Sequence, residues 1–192
     1  MKTPQVDIAA LVAMIEEANS DEDFRKITRE LKAMPAPEGQ GWLKTYYLGL
    51  CYVLHSMEPV GAVKRDSLVT MAEAQAAKLL RTKPQWSEAH TLRAFCYQAK
   101  IMVAVWARGP MYLSDVEQCL NKALKLDPEN PRALFLQAQT LKNKPVFFGG
   151  GESKARPVLN KALECFDNAQ PESPLHPSWG KGQALELLEE LK

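Results

Sequence analysis

Apolar residues recur along this chain with the spacing of a helix in almost every segment, and no stretch shows a convincing alternation of period two. Over 6–18, Ile8, Leu11, Val12 and Ile15 share one face, the i, i+3, i+4, i+7 pattern of an amphipathic helix. Over 20–34, Phe24, Ile27 and Leu31 form the next stripe, and Ser20 with Asp23 reads as an N-cap with an acid in the first turn. PAPEGQG (35–41) ends that helix, because its prolines and glycines cannot continue it. The helical period returns over 42–57, 66–82, 87–107, 114–126, 130–143, 153–169 and 178–191. Ser114 with Glu117 has the spacing of a capping box. The pattern predicts an all-α protein of about nine helices with essentially no sheet.

The pattern also repeats. At a shift of about 44 residues Trp42 falls on Trp86, Leu48 on Leu92 and then Leu136, Leu80 on Leu124, and Pro84 on Pro128. Near the end HPSWGKGQALELL echoes KPQWSEAHTLRAF, which matches Pro177 and Trp179 to Pro84 and Trp86. Each unit is a helix pair, A then B, closed by a proline that stops the outgoing helix and presets the entry to the next. Ala94 and Ala138 recur where another helix must come close. A single pair cannot bury its apolar face, but a stack of pairs does. The expected organisation is one domain over 1–192: an N-terminal helix pair (1–40), long repeats (41–170) and a C-terminal capping helix (171–192). ELLEELK at the end sets acids on one side and leucines on the other, as a terminal cap requires.

At ALKLDPENPRALFLQAQTL, the residues Ala123, Leu124, Asp127, Pro128, Asn130, Pro131, Arg132 and Ala133 resemble the junction between two tetratricopeptide (TPR) repeats. The likeness covers roughly residues 42–170 and implies a right-handed α-solenoid of about four antiparallel helix pairs. The units exceed the usual ~34 residues, with the excess in EPVGAVKRD and RGPMYLSD, which have loop composition. WLKTYYLGLCYV, NPRAL…LKNKPVFFGGGESKA and PSWGKGQALELLEEL, in this order, also resemble a family of small TPR-like proteins of Bacteroidetes, most without an assigned activity. The FGG…KA loop is similar to that of the TPR-type component found beside TRAP transporters, a periplasmic ligand-handling family.

Composition narrows the function classes. At 46% apolar, 24% charged and a net charge of +1, with the basic residues scattered, the chain lacks the electrostatic footprint of a nucleic-acid binder. No apolar run reaches the roughly 18 residues of a membrane span. The N-terminal apolar stretch is broken by Asp7 and followed by acids, so it reads as a helix rather than a signal peptide. The expected compartment is the cytoplasm as the chain stands, or the periplasm if a leader was removed. Cys51, Cys96, Cys119 and Cys165 form no CxxC pair, and His55, His90 and His176 share no ligand spacing, so no metal or other cofactor is expected. No nucleophile motif or carboxylate pair is visible, so the expectation is a protein that is not an enzyme.

The glycine run of KPVFFGGGESKA invites comparison with phosphate-binding loops, but no strand precedes it and no GK[ST] follows. Its setting, between an A and a B helix, predicts a tight turn with Phe147 and Phe148 tucked beneath it and the next helix starting near Glu152 or Ser153. An anion or small ligand at Gly149, Gly150, Gly151 and Lys154 is the alternative use of the same loop. Trp42, Trp86 and Trp179 read as packing between units, and Trp106, which has no repeat partner, reads as core too, though the more exposed of the four.

Two function classes follow. The first is a protein-interaction module, monomeric or weakly self-associating, whose A helices grip a peptide or partner segment on a concave face. Position on the A helices selects Lys44, Tyr47, Arg93, Arg132, Gln139 and Lys142, and their basic and amide character suits an acidic or C-terminal carboxylate partner. The second is a small-ligand carrier with a pocket near Trp106, Phe147 and the glycine loop.

Overall fold

The structure, a computed structural model, describes residues 8–35, 41–170, 173 and 175–191. Most of PAPEGQG and the start of the chain lie outside these residues. The described residues form nine α-helices and one short 3-10 turn, with no strand among them. The helices are α1 (Ile8–Glu17), α2 (Asp21–Ala33), α3 (Gly41–Met57), α4 (Ala62–Thr82), α5 (Ser87–Val103), α6 (Val105–Leu126), α7 (Pro131–Asn143), α8 (Glu152–Asn168) and α9 (Lys181–Glu190), and the 3-10 turn is Val146–Phe148.

Local chemistry accounts for several helix ends. The Ser20 hydroxyl accepts from the Asp23 amide, and Asp21, Glu22 and Asp23 sit at the positive end of α2. Asn130 caps α7 by accepting from the Ala133 amide at 2.9 Å, with Pro131 at the first helical position where no amide is needed. Helices α3 and α4, α5 and α6, and α7 and α8 pack as pairs, and successive pairs stack in chain order. The A helix α5 touches both α3 and α7, so the three form a continuous layer, and α9 packs against α8 and α7. Buried Leu50, Leu92 and Leu136 belong to the core this stacking creates, and Ala94 and Ala138, fully buried, permit the close approach of the layer.

Two stretches with loop composition are helical. Most of EPVGAVKRD lies in the first turns of α4, and RGPMYLSD lies inside α6. The helix expected over 87–107 breaks at Ala104 (φ −155°, ψ 78°), and the new helix begins at once. Beyond the break, Arg108 donates to Asp66 on α4 through two bonds (2.5 and 3.2 Å) and to the Lys100 carbonyl, and Tyr112 stacks on Tyr97 of α5. These contacts hold the start of α6 against its neighbours. Pro110, the sixth residue of α6, lacks the amide that would bond the Trp106 carbonyl. Ser114 is consequently in mid-helix, where its hydroxyl accepts from the Gln118 amide group rather than capping an N-terminus.

Candidate functional site: an apolar edge and an occupied helix face

Each helix pair is joined by a short connection: 58–61 between α3 and α4, Ala104 between α5 and α6, and 144–151 between α7 and α8. Large apolar side chains are exposed there in unusual number: Val63 after the first turn, Met102, Val105 and Trp106 at the second, and Val146, Phe147 and Phe148 at the third. Trp106 is 96% exposed and Phe147 92%. Single exposed apolar residues are ordinary, and a series of them at successive turns is a candidate binding surface. Beside it, an open groove of about 550 Å³ runs between α4 and the α5–α6 turn, lined by Ala62, Val63, Asp66, Ser67, Thr70, Met71 and Val103. The Arg108–Asp66 bonds fix α6 against this groove, which sets Trp106 two residues from a rigid anchor. The bond from Arg108 also holds the Asp66 carboxyl below its ordinary range.

The third turn does not tuck its rings away. Phe147 and Phe148 meet edge to face, with centroids 5.3 Å apart, on the outside of the turn. The space beneath is taken by the backbone itself: a side chain at Gly150 would begin 2.1 Å from the Lys144 carbonyl oxygen, and one at Gly151 2.8 Å from the Val146 side chain. Gly149 and Gly151 adopt φ of 83° and 102°, which glycine alone adopts without strain. The amides of Gly149, Gly150 and Gly151 donate to the carbonyls of Val146, Pro145 and Leu141, so all three are used within the turn. Lys154 points from the exposed start of α8.

The face of the α3–α5–α7 layer carries a second arrangement. Glu88, buried at the start of α5, is its hub. One carboxylate oxygen accepts from Arg132 Nε and Asn130 Nδ2, each at 2.7 Å, and the other accepts from the Tyr46 hydroxyl at 3.0 Å. Burial, the largest influence, works to lower the Arg132 pKa, but Glu88 together with Tyr46 and Tyr47 raises it overall. Burial, followed by the Glu88 charge, pushes the Tyr46 hydroxyl well above its ordinary value. The chain's own C-terminal segment lies across this face. Trp179 stacks on Phe95 and donates its indole N–H to the Tyr46 oxygen at 2.8 Å. Tyr47 donates to the Leu175 carbonyl at 2.9 Å, the His176 ring packs on Trp42, and Ser178 donates to Glu16 on α1. Trp42 and Trp86 meet edge to face at 4.7 Å.

Of the groove residues read from position, Tyr47 and Arg132 come together around this segment. Lys44 donates to the Lys32 and Met34 carbonyls and so finishes α2. Arg93 bonds the Tyr97 hydroxyl and lies over its ring. Lys142 pairs with Glu190 of α9, and Gln139 is half-buried. Glu88 was missed, although a signal existed: Glu88 and Arg132 are 44 residues apart, the repeat shift itself, and carry opposite charges at one repeat position.

Among the described residues no group of three His, Cys, Asp or Glu side chains could hold a metal ion. The cysteines are free, and burial pushes the thiols of Cys51 and Cys119 up to about 11, which leaves them protonated and unreactive.

The described residues form an all-helical fold with apolar side chains exposed at its turns and a helix face covered by the chain's own C-terminal segment. No protein-family model matches the sequence, and no curated protein matches it. Among solved structures the chain is similar to the HusA haemophore from Porphyromonas gingivalis, with a TM-score of 0.84 and 30% identity over 96% of this chain and 90% of that one. At that identity and coverage, the chain belongs to the same family as that haemophore. No helix among the described residues is long and apolar enough to cross a membrane.

Proposed function

We propose that this protein is a non-catalytic carrier that binds a flat, largely apolar ligand of the haem or porphyrin class on the edge formed by its A-to-B turns. The observation that carries the reading is the exposure of Trp106 and Phe147, with Val63, Met102 and Val105, beside an open groove. A planar macrocycle offers a large apolar face, and aromatic rings meet such a face by stacking. The kinship with a haemophore supports the same ligand class. Under this reading the ligand site falls near the glycine loop, as the second sequence-based class has it, and a carrier of this kind suits the periplasmic alternative for its compartment. The repeat units are then TPR-type pairs in a right-handed stack, adapted so that the turns, not the concave face, hold the ligand.

The test is a titration of hemin, and in parallel of a metal-free porphyrin, followed by the Soret band and by tryptophan quenching. Saturable binding is expected, weakened on the order of tenfold by Trp106→Ala with Phe147→Ala. Absent saturation, or affinity indifferent to both substitutions, ends the reading.

A second reading, a peptide held on the concave face, is favoured by one observation: the chain's own turn at 175–180 packs on the α3–α5–α7 layer, with its Leu175 carbonyl and Trp179 ring engaged.

A further inference from the structure

The open groove beside the α5–α6 turn leads into a polar, aromatic end. Thr70 and Val103 line the groove. One helical turn further along the same edges of α4 and α5 stand Glu73 and Lys100, paired at 2.8 Å. Next along α5 come Tyr97 and Arg93, so that Arg93, Tyr97 and Lys100 recur at i, i+4 and i+7 on one face. Tyr112 of α6 packs on this face. Its ring stacks on Tyr97 with centroids 6.0 Å apart, and the Lys100 ammonium lies 4.8 Å from its centroid. All five of these side chains are half-buried.

The charge at this end is unbalanced. Lys100 and Glu73 neutralise each other. Arg93 has no such counterpart: its Nη2 donates to the neutral Tyr97 hydroxyl at 2.9 Å, its guanidinium lies 5.0 Å from the Tyr97 ring centroid, and among the described residues no carboxylate bonds it. A guanidinium presents a planar fork of donors that fits a carboxylate with two parallel bonds. Half-burial has removed part of its water and left a neutral hydroxyl in exchange, so an incoming carboxylate meets a charge already partly desolvated and unopposed. Because Arg93 reaches toward Tyr97, its guanidinium is carried one turn nearer the groove.

We propose that Arg93 is the carboxylate anchor of the ligand site, which narrows the ligand to flat macrocycles that carry an acidic side chain. The macrocycle lies in the groove beside the exposed turn, and its carboxylate reaches along α5 to Arg93, against the rings of Tyr97 and Tyr112. This rests on the reading of the turn edge as a porphyrin site.

The probes are protoporphyrin IX, which carries two carboxylates, and its dimethyl ester, which carries none. Both are titrated by tryptophan quenching, in the same cosolvent, against the full chain and its Arg93→Gln variant. The acid is expected to bind the intact protein on the order of tenfold more tightly than the ester. Arg93→Gln should abolish that preference by weakening the acid alone. Equal affinity for acid and ester in the intact protein, equal weakening of both by the substitution, or a preference that survives it overturns the anchor and leaves the porphyrin reading standing. Absence of saturable binding by either probe overturns the porphyrin reading and the anchor with it. Where Arg93→Gln does not fold, Arg93→Lys serves in its place: it keeps the charge and loses the fork, so the preference should shrink several-fold, and a preference equal to the parent's overturns the anchor.

Discussion

Trp179 lies nearly parallel to Phe95, with ring centroids 5.3 Å apart, while its N–H reaches the Tyr46 oxygen. One side chain near the C-terminus thus ties α5 to α3, across 133 residues of chain in the case of Tyr46. Removing the ring leaves a cavity over a polar floor. Trp179→Ala should cost about 3–5 kcal/mol, and Trp179→Phe, which keeps the stacking and loses the hydrogen bond, about 1 kcal/mol. Urea midpoints of the two variants check the order. A Phe variant as damaged as the Ala variant would assign the energy to the hydrogen bond instead.

Glu88 and Arg132 form a pair that neither partner survives alone. Glu88→Ala leaves a buried guanidinium and two further donors without their acceptor, and should cost about 3–5 kcal/mol. Glu88→Leu combined with Arg132→Met replaces charge by packing and should recover most of that loss. Chemical denaturation of the single and double variants measures the coupling. A double variant no more stable than Glu88→Ala would show that Asn130 and Tyr46, left without the carboxylate, set the cost.

The apolar edge makes the opposite demand. Trp106 touches little, so Trp106→Ala should leave the melting temperature unchanged within a degree or two. The same substitution should weaken porphyrin binding. A variant that loses both stability and binding would place Trp106 in the fold rather than in the site.

Much of this architecture is legible in local chemistry. The α2 and α7 caps, Ser20 and Asn130, are set by residues within three positions of the bonds they make, and the helical period around them needs no distant partner. Trp42 and Trp86 were legible as packing because the repeat places them in register. What was not legible depends on contacts far along the chain. RGPMYLSD carries the composition of a loop, but it is helical and held by partners far along the chain or on the neighbouring helix: Arg108 bonds Asp66, 42 residues away, and Tyr112 stacks on Tyr97. Phe147 and Phe148 read as a plug because apolar rings usually find cover, and the closed backbone of the glycine turn leaves none. Tyr47 was legible as a residue of the A-helix face, but its partner, the Leu175 carbonyl 128 residues on, has no local signature.

The glycine turn gives a graded prediction. At Gly149 a methyl group meets nothing within 4 Å, so Gly149→Ala bears only the left-handed backbone strain, about 1–2 kcal/mol. At Gly150 the methyl meets a carbonyl oxygen at 2.1 Å and the main chain must move. Gly150→Ala should therefore cost more than Gly149→Ala and shift the rings of Phe147 and Phe148. Thermal melts of both variants, with porphyrin affinity alongside, report the two effects. Equal costs would mean that the turn yields easily and that its shape is not what presents the rings.

Asp21 links the first two helices to the stack. It receives hydrogen bonds from Lys64 on α4 and from the buried His55 on α3, and pairs with Arg25. The bond from Lys64, then that from His55, lowers its pKa from 3.8 to about 2. A carboxyl whose folded value is depressed stabilises the fold above its unfolded pKa and loses that contribution as pH falls through the folded one. The window is therefore from 3.8 down to about 2. Below it α2 should loosen first, since α1 and α2 meet the repeats chiefly through α3. Asp21→Asn removes the titrating group, so its stability should fall less steeply with pH across that interval than that of the parent, at some loss near neutrality. Denaturant midpoints at pH 2, 3, 4 and 7 for both proteins measure the difference. Parallel curves would show that Asp21 contributes nothing to the acid sensitivity, and that its bonds to Lys64 and His55 are exchanged for water at no net cost.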